Sequence, residues 1–164
     1  MRREHETPRS RRSSPRLAGF DYAQEGYYFV TICTRGHEPL FGHIRDGTMH
    51  ISQIGEVVER EWRAIPDYEP STHLDAWIVM PNHIHGVISL HSFEDGPTRG
   101  LSSIIAGFKG RSTRNVNRAL GRDGTSSWER SFYDHVVRDD ADLDRIREYI
   151  MNNPARWDAD RFRR

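Results

Sequence analysis

The chain has 164 residues, 24 Lys and Arg balanced by 24 Asp and Glu, and 35% hydrophobic residues. That suffices for one domain with a core and is too short for two ordinary ones, and a formal charge of zero gives by itself no reason to expect nucleic acid. A single cysteine, Cys33, excludes an intramolecular disulfide framework, and no apolar run of about 18 residues suggests a membrane span, so a reducing, cytoplasmic compartment and no membrane partner are expected.

In chain order, the first 16 residues carry six arginines against Glu4 and Glu6 and lack an apolar face, which predicts a flexible basic arm over residues 1–16. Gly26 to Thr34 is dense in aromatic and β-branched residues and reads as the first strand. From Ser52 to Ile65, apolar residues at Ile54, Val57, Val58, Trp62 and Ile65 follow a helical period that ends before Pro66. Ala76 to Met80 and Ile84 to Leu90 are apolar runs around Pro81-Asn82, a dipeptide suited to a tight turn, so a β-hairpin is expected.

Beyond the polar stretch His91 to Gly100, Leu101, Ile104, Ile105 and Phe108 recur at helical spacing, with Arg111, Arg114 and Arg118 forming a basic stripe on the same helix. That stripe reads equally as a solvated face or a phosphate-contacting one. Trp128 to Val137 predicts a fourth strand, and Ala141 to Asn152 a last helix. The order β, α, β, β, α, β, α favours an α+β fold: a ferredoxin-like antiparallel sheet with helices packed on one face and an extra C-terminal helix carrying Tyr149.

Two features carry chemistry. His83 and His85, at i and i+2 of a strand, point to the same side roughly 6.6 Å apart along it, a spacing that suits two nitrogens converging on one ion. Tyr149 and Asn153, at i and i+4 of the last helix, share a face and can present a hydroxyl and a carboxamide oxygen together. Taken alone, an HxH pair among nine histidines is weak, and Tyr149 beside Leu143, Ile146 and Ile150 reads as a core aromatic. Trp62, Trp77 and Trp128 read as core anchors, Tyr133 as packing at the sheet or its edge, and His135 as a hydrogen-bonded structural residue.

The ordered set Met80-Pro81-Asn82-His83-Ile84-His85, Trp128-Glu129-Arg130-Ser131-Phe132-Tyr133-Asp134-His135 and Tyr149 to Pro154 resembles the REP-associated tyrosine transposases, single-tyrosine HUH enzymes of the insertion-sequence-200-like group. The resemblance covers roughly Arg16 to Trp157, so residues 17–157 are expected to form the transposase domain and 158–164 a short basic tail. It implies metal ligation by His83, His85 and Asn153, with Mg²⁺ or Mn²⁺ as the ion, and nucleophilic attack by Tyr149 through a 5′-phosphotyrosine intermediate. Many mobile members have glutamine where this chain has Asn153, whereas REP-associated members often have asparagine. The implied partner is single-stranded DNA with a hairpin, often an extragenic palindrome, and both a homodimer and a monomer fit the family. DNA contacts are expected from Arg9, Arg11, Arg12, Arg16, Lys109, Arg111, Arg114 and Arg118. Two alternatives stay open from sequence: a non-catalytic hairpin-binding protein, and an RNA-binding or RNA-processing domain on the same fold.

Overall fold

β1 (Gly26–Cys33) alternates two apolar faces, and it needs both, because it lies inside a four-stranded antiparallel sheet of order β4-β5-β1-β6. A computed structural model describes residues 18–92 and 99–163; the expected arm, with Arg9, Arg11, Arg12 and Arg16, lies outside the described residues. β4 (Thr72–Met80) and β5 (His83–Leu90) form the expected hairpin, and β6 (Tyr133–Val136) completes the far edge. The order is that of a ferredoxin-like sheet, and the α+β expectation holds.

Tyr28, Val30 and Ile32 of β1, with Ile84, Ile88 and Leu90 of β5, face α1 (Gln53–Arg63) and α3 (Leu101–Leu120). Ser52 caps α1 by accepting the Gly55 N–H at 3.1 Å, and α3 ends at Gly121, whose φ of 61° is the left-handed conformation that closes a helix at low cost. Trp62 and Trp128 are buried in this core, and Trp77 is half-buried beneath the Arg63 guanidinium, 4.9 Å from its ring centre. The opposite face of the sheet, with Phe29, Ala76, Ile78 and Val87, packs against Leu143, Ile146 and Ile150 of α4 (Asp140–Asn152). The tyrosine helix therefore covers one face alone, while the other two long helices share the second.

β2 (Gly42–Arg45), β3 (Thr48–Ile51) and α2 (Ile65–Tyr68), between β1 and β4, were not foreseen. β2 and β3 pair as a separate hairpin turning at Asp46-Gly47, both at positive φ, and α2 adds one turn after α1.

Candidate active site

His83 and His85 enter from β5 on the face that α4 covers, and both are fully buried. Their Nε2 atoms lie 3.0 Å apart, and each ring is held by its other nitrogen. Asn82 donates its side-chain N–H groups to the carbonyls of His37 (3.2 Å) and Phe162 (2.8 Å), which turns its Oδ1 toward His83 Nδ1 at 2.8 Å. The His83 Nδ1–H therefore donates to Asn82, leaving a lone pair on Nε2, an assignment fixed by the amide's other bonds. His85 Nδ1 lies 2.8 Å from Thr31 Oγ1 on the neighbouring β1.

Burial pushes His83 down to about 3 and His85 well below its ordinary value, with His37 adding to the first effect, and His83 and Arg161 to the second. Both rings are thus neutral, with lone pairs available for a cation. The Asp160 carboxylate approaches His83 Nε2 at 3.6 Å, but a neutral imidazole makes no ion pair with it. Cys33, opposite His83 in the β1–β5 register, is buried and pushed up to about 12, chiefly by that burial, so its thiol is inert near neutrality.

α4 brings Tyr149 to this pair within one chain. Its hydroxyl lies 3.5 Å from His85 Nε2, and its ring packs edge-on against Phe29. Burial, then the Asp160 carboxylate, raises the Tyr149 hydroxyl above its ordinary value, while a hydrogen bond from Asn153 and the charge of Arg161 act in the opposite sense. Asn153, the C-cap of α4, is buried and its Oδ1 has no hydrogen-bond partner. Two buried neutral imidazoles whose Nε2 atoms converge at 3.0 Å, with an unpartnered amide oxygen four residues beyond Tyr149, are a donor set of the kind that fits a divalent cation.

The remaining expected contacts are distributed differently. Lys109 turns inward and donates to the carbonyls of Glu129, Arg130 and Ser131 at 2.9, 3.3 and 3.0 Å, and burial lowers it to about 8. The Arg111 guanidinium carbon sits over Tyr68, 3.9 Å from the ring centre, with Glu61 beside it. Arg114 and Arg118 are exposed on α3, across the sheet from the histidines. Tyr133 lies on the edge strand against Phe162, and His135 pairs with Asp142 at 2.8 Å.

Sequence reasoning missed Thr31, Asp160 and Phe162. Thr31 stands in the first strand without any marker of its role, and Asp160 and Phe162 lie in what reads as a short basic tail. After a 3₁₀ turn at Pro154–Ala159, that tail crosses the histidines: Phe162 is buried with its ring 5.1 Å from His83 and 5.7 Å from His85, and Trp157 stacks on His83.

The family model described as "Transposase IS200 like" matches residues 62–153, a span that contains His83, His85, Tyr149 and Asn153. The chain belongs to the IS200-like transposases. An uncharacterized protein of Haemophilus influenzae is 33% identical to this transposase-family chain over 166 residues, covering 92% of each. A candidate REP-associated tyrosine transposase of the same organism is 27% identical over 143 residues, covering 83% of this chain and 74% of the relative. Among solved structures, a REP-associated tyrosine transposase bound to a REP hairpin matches with a TM-score of 0.62 at 20% identity, over 89% of this chain and 74% of that one. A candidate transposase from Deinococcus radiodurans matches with a TM-score of 0.53 at 18% identity, over 84% and 95%. These likenesses agree with the REP-associated resemblance read from the motifs and with the ferredoxin-like fold. No helix among the described residues is long and apolar enough to cross a membrane.

Proposed function

We propose that this IS200-like transposase nicks and rejoins hairpin-bearing single-stranded DNA in a divalent-metal-dependent reaction, with Tyr149 as nucleophile. The observation that carries this reading is the Tyr149 hydroxyl 3.5 Å from His85 Nε2, at the point where His83 Nε2 converges from 3.0 Å. His83, His85 and the Asn153 Oδ1 would hold Mg²⁺ or Mn²⁺, and the ion would supply positive charge for the phosphate oxygens as negative charge develops on them.

The chain's own residues do the rest. Thr31 and Asn82 fix the two rings so that both Nε2 atoms face inward. α4 holds the Tyr149 oxygen beside them, which replaces a bimolecular encounter with a positioned attack. As the Tyr149 oxygen bonds to phosphorus it gives up its proton, the bond from phosphorus to the 3′ oxygen breaks, and that oxygen leaves as a 3′-hydroxyl after gaining a proton. The 5′-phosphotyrosine keeps the bond energy, so the reverse attack by a 3′-hydroxyl joins strands without another energy source. The hairpin substrate is supported by the structural relative bound to a REP hairpin, together with the motif order.

The test is incubation of the protein and its Tyr149→Phe variant with labelled hairpin-bearing single-stranded DNA, in Mn²⁺ or EDTA, followed by a denaturing gel. A covalent adduct from the unmodified chain in Mn²⁺ alone, absent from the variant while DNA binding persists, is expected. Tight hairpin binding by both proteins with no adduct from either would leave a DNA-holding protein and remove the enzymatic reading.

A further inference from the structure

Asp160 is buried at its side chain, and although its Oδ1 accepts the Phe162 N–H at 2.7 Å, its Oδ2 has no hydrogen-bond partner. A carboxylate oxygen taken out of water without a donor is costly, and that cost calls for a compensating group. Oδ2 points into the histidine pair: ligand atoms of His83, His85 and Asp160 all lie within 4.8 Å of one another. The Asn153 Oδ1 is likewise buried without a hydrogen-bond partner.

We propose that Asp160 is a metal ligand delivered by the C-terminal tail, completing with His83, His85 and Asn153 a set of two nitrogens and two oxygens. The proposal rests on the metal reading of the histidine pair given above. Two neutral imidazoles alone leave a divalent charge uncompensated and favour softer transition ions, whereas a carboxylate adds a negative charge and a hard oxygen that suit Mn²⁺ and Mg²⁺.

The tail's seat is tied to the same side chains. Asn82, which orients His83, also donates to the Phe162 carbonyl, and the Phe162 ring lies on both histidines. Ligand orientation and tail docking are therefore one unit. Binding linkage then requires that the ion hold the tail down and that the docked tail raise affinity for the ion by the same factor. Asp160 lies beyond the residues matched by the family model, so the match itself does not assign it this role.

Calorimetric titration of Mn²⁺ into the full chain, Asp160→Asn and His83→Ala tests this, alongside tryptic cleavage after the exposed Arg161 with and without Mn²⁺. Asp160→Asn keeps the side chain's shape, and its thermal midpoint in EDTA reports its folding. The expected result is Mn²⁺ binding weakened at least about tenfold in Asp160→Asn, with Mn²⁺ slowing cleavage at Arg161 in the unmodified chain only. Native affinity in Asp160→Asn together with lost affinity in His83→Ala overturns the role of Asp160 and leaves the histidine reading standing. Native affinity in both variants overturns both. The proteolysis arm uses the unmodified chain, so Mn²⁺-independent cleavage there counts against the proposal even if the variant is unstable.

Discussion

Thr31 is the most exacting single residue outside the chemical set, because its Oγ1 at 2.8 Å is what holds His85 Nδ1 and thereby aims Nε2. Partners of this kind typically contribute about 10–100-fold in metal affinity. Thr31→Val keeps the branched shape in a strand, so the fold should persist while Mn²⁺ affinity falls by roughly that factor; unchanged affinity by calorimetry would sink the assignment. Gly86, between His85 and Val87, acts from the other side of the strand. A Cβ there would stand 2.3 Å from Cζ2 and 2.9 Å from Cη2 of the fully buried Trp62. Gly86→Ala should therefore cost about 1–3 kcal/mol by overpacking, read by denaturant unfolding, and no loss of stability would mean that the Trp62 ring moves freely. The histidines were legible in the sequence because a strand's period of two places them together. Thr31 was not, since its role depends on which strand pairs beside β5.

α4 positions Tyr149, and two polar anchors fix α4 to the sheet at different edges. Arg147 grips Asp75 of β4 with a bidentate pair at 2.8 and 2.7 Å, next to the register shift between Leu74 and Trp77. At the helix start, Asp142 accepts from His135 Nε2 of β6, from the Arg138 N–H and from Arg145, while Asp139 caps the helix. These hydrogen bonds hold both carboxyls below the ordinary value: His135 and then Arg145 are the main causes for Asp142, and Arg147 is for Asp75. A depressed folded-state value contributes stability that is present above the unfolded value of about 3.9 and is lost as pH falls through the lower folded one. Calorimetric scans should show the thermal midpoint dropping below about pH 4, and Asp75→Asn or Asp142→Asn should lower the midpoint at neutral pH while flattening that acid-side fall. Parallel pH curves for variants and unmodified chain would contradict the anchoring role. The helix itself was readable from Leu143, Ile146 and Ile150. The β2–β3 hairpin went unread although Asp46-Gly47 is a hairpin-turn dipeptide, because its strands Gly42–Arg45 and Thr48–Ile51 are only four residues each and mostly exposed, without the dense apolar run that marks β1 or β5.

Across the whole molecule, the sheet separates two surfaces. The element order sufficed to give the ferredoxin-like sheet, yet it could not place the tail, whose docking depends on Asn82 and the histidines instead of on any periodicity. The face under α4 holds the tyrosine, while α3 presents Arg114 and Arg118 to solvent on the other. Lys109 and Arg111 are already engaged by backbone carbonyls and by Tyr68, so of the α3 cations Arg114 and Arg118 are the ones left facing water. On the proposed function, Arg114 and Arg118 are the α3 cations available to a hairpin stem. Replacing both with alanine should weaken hairpin binding and reduce the slope of log affinity against log salt by about 1.4–1.8, the two phosphates' share. Adduct formation at saturating DNA should be unaffected, since the change touches no group near His83, His85 or Tyr149. Filter binding over a salt series decides it: superimposable slopes would make this stripe a solvated helix face, and an equal loss of adduct at saturation would mean that α3 shapes the site instead of holding the stem.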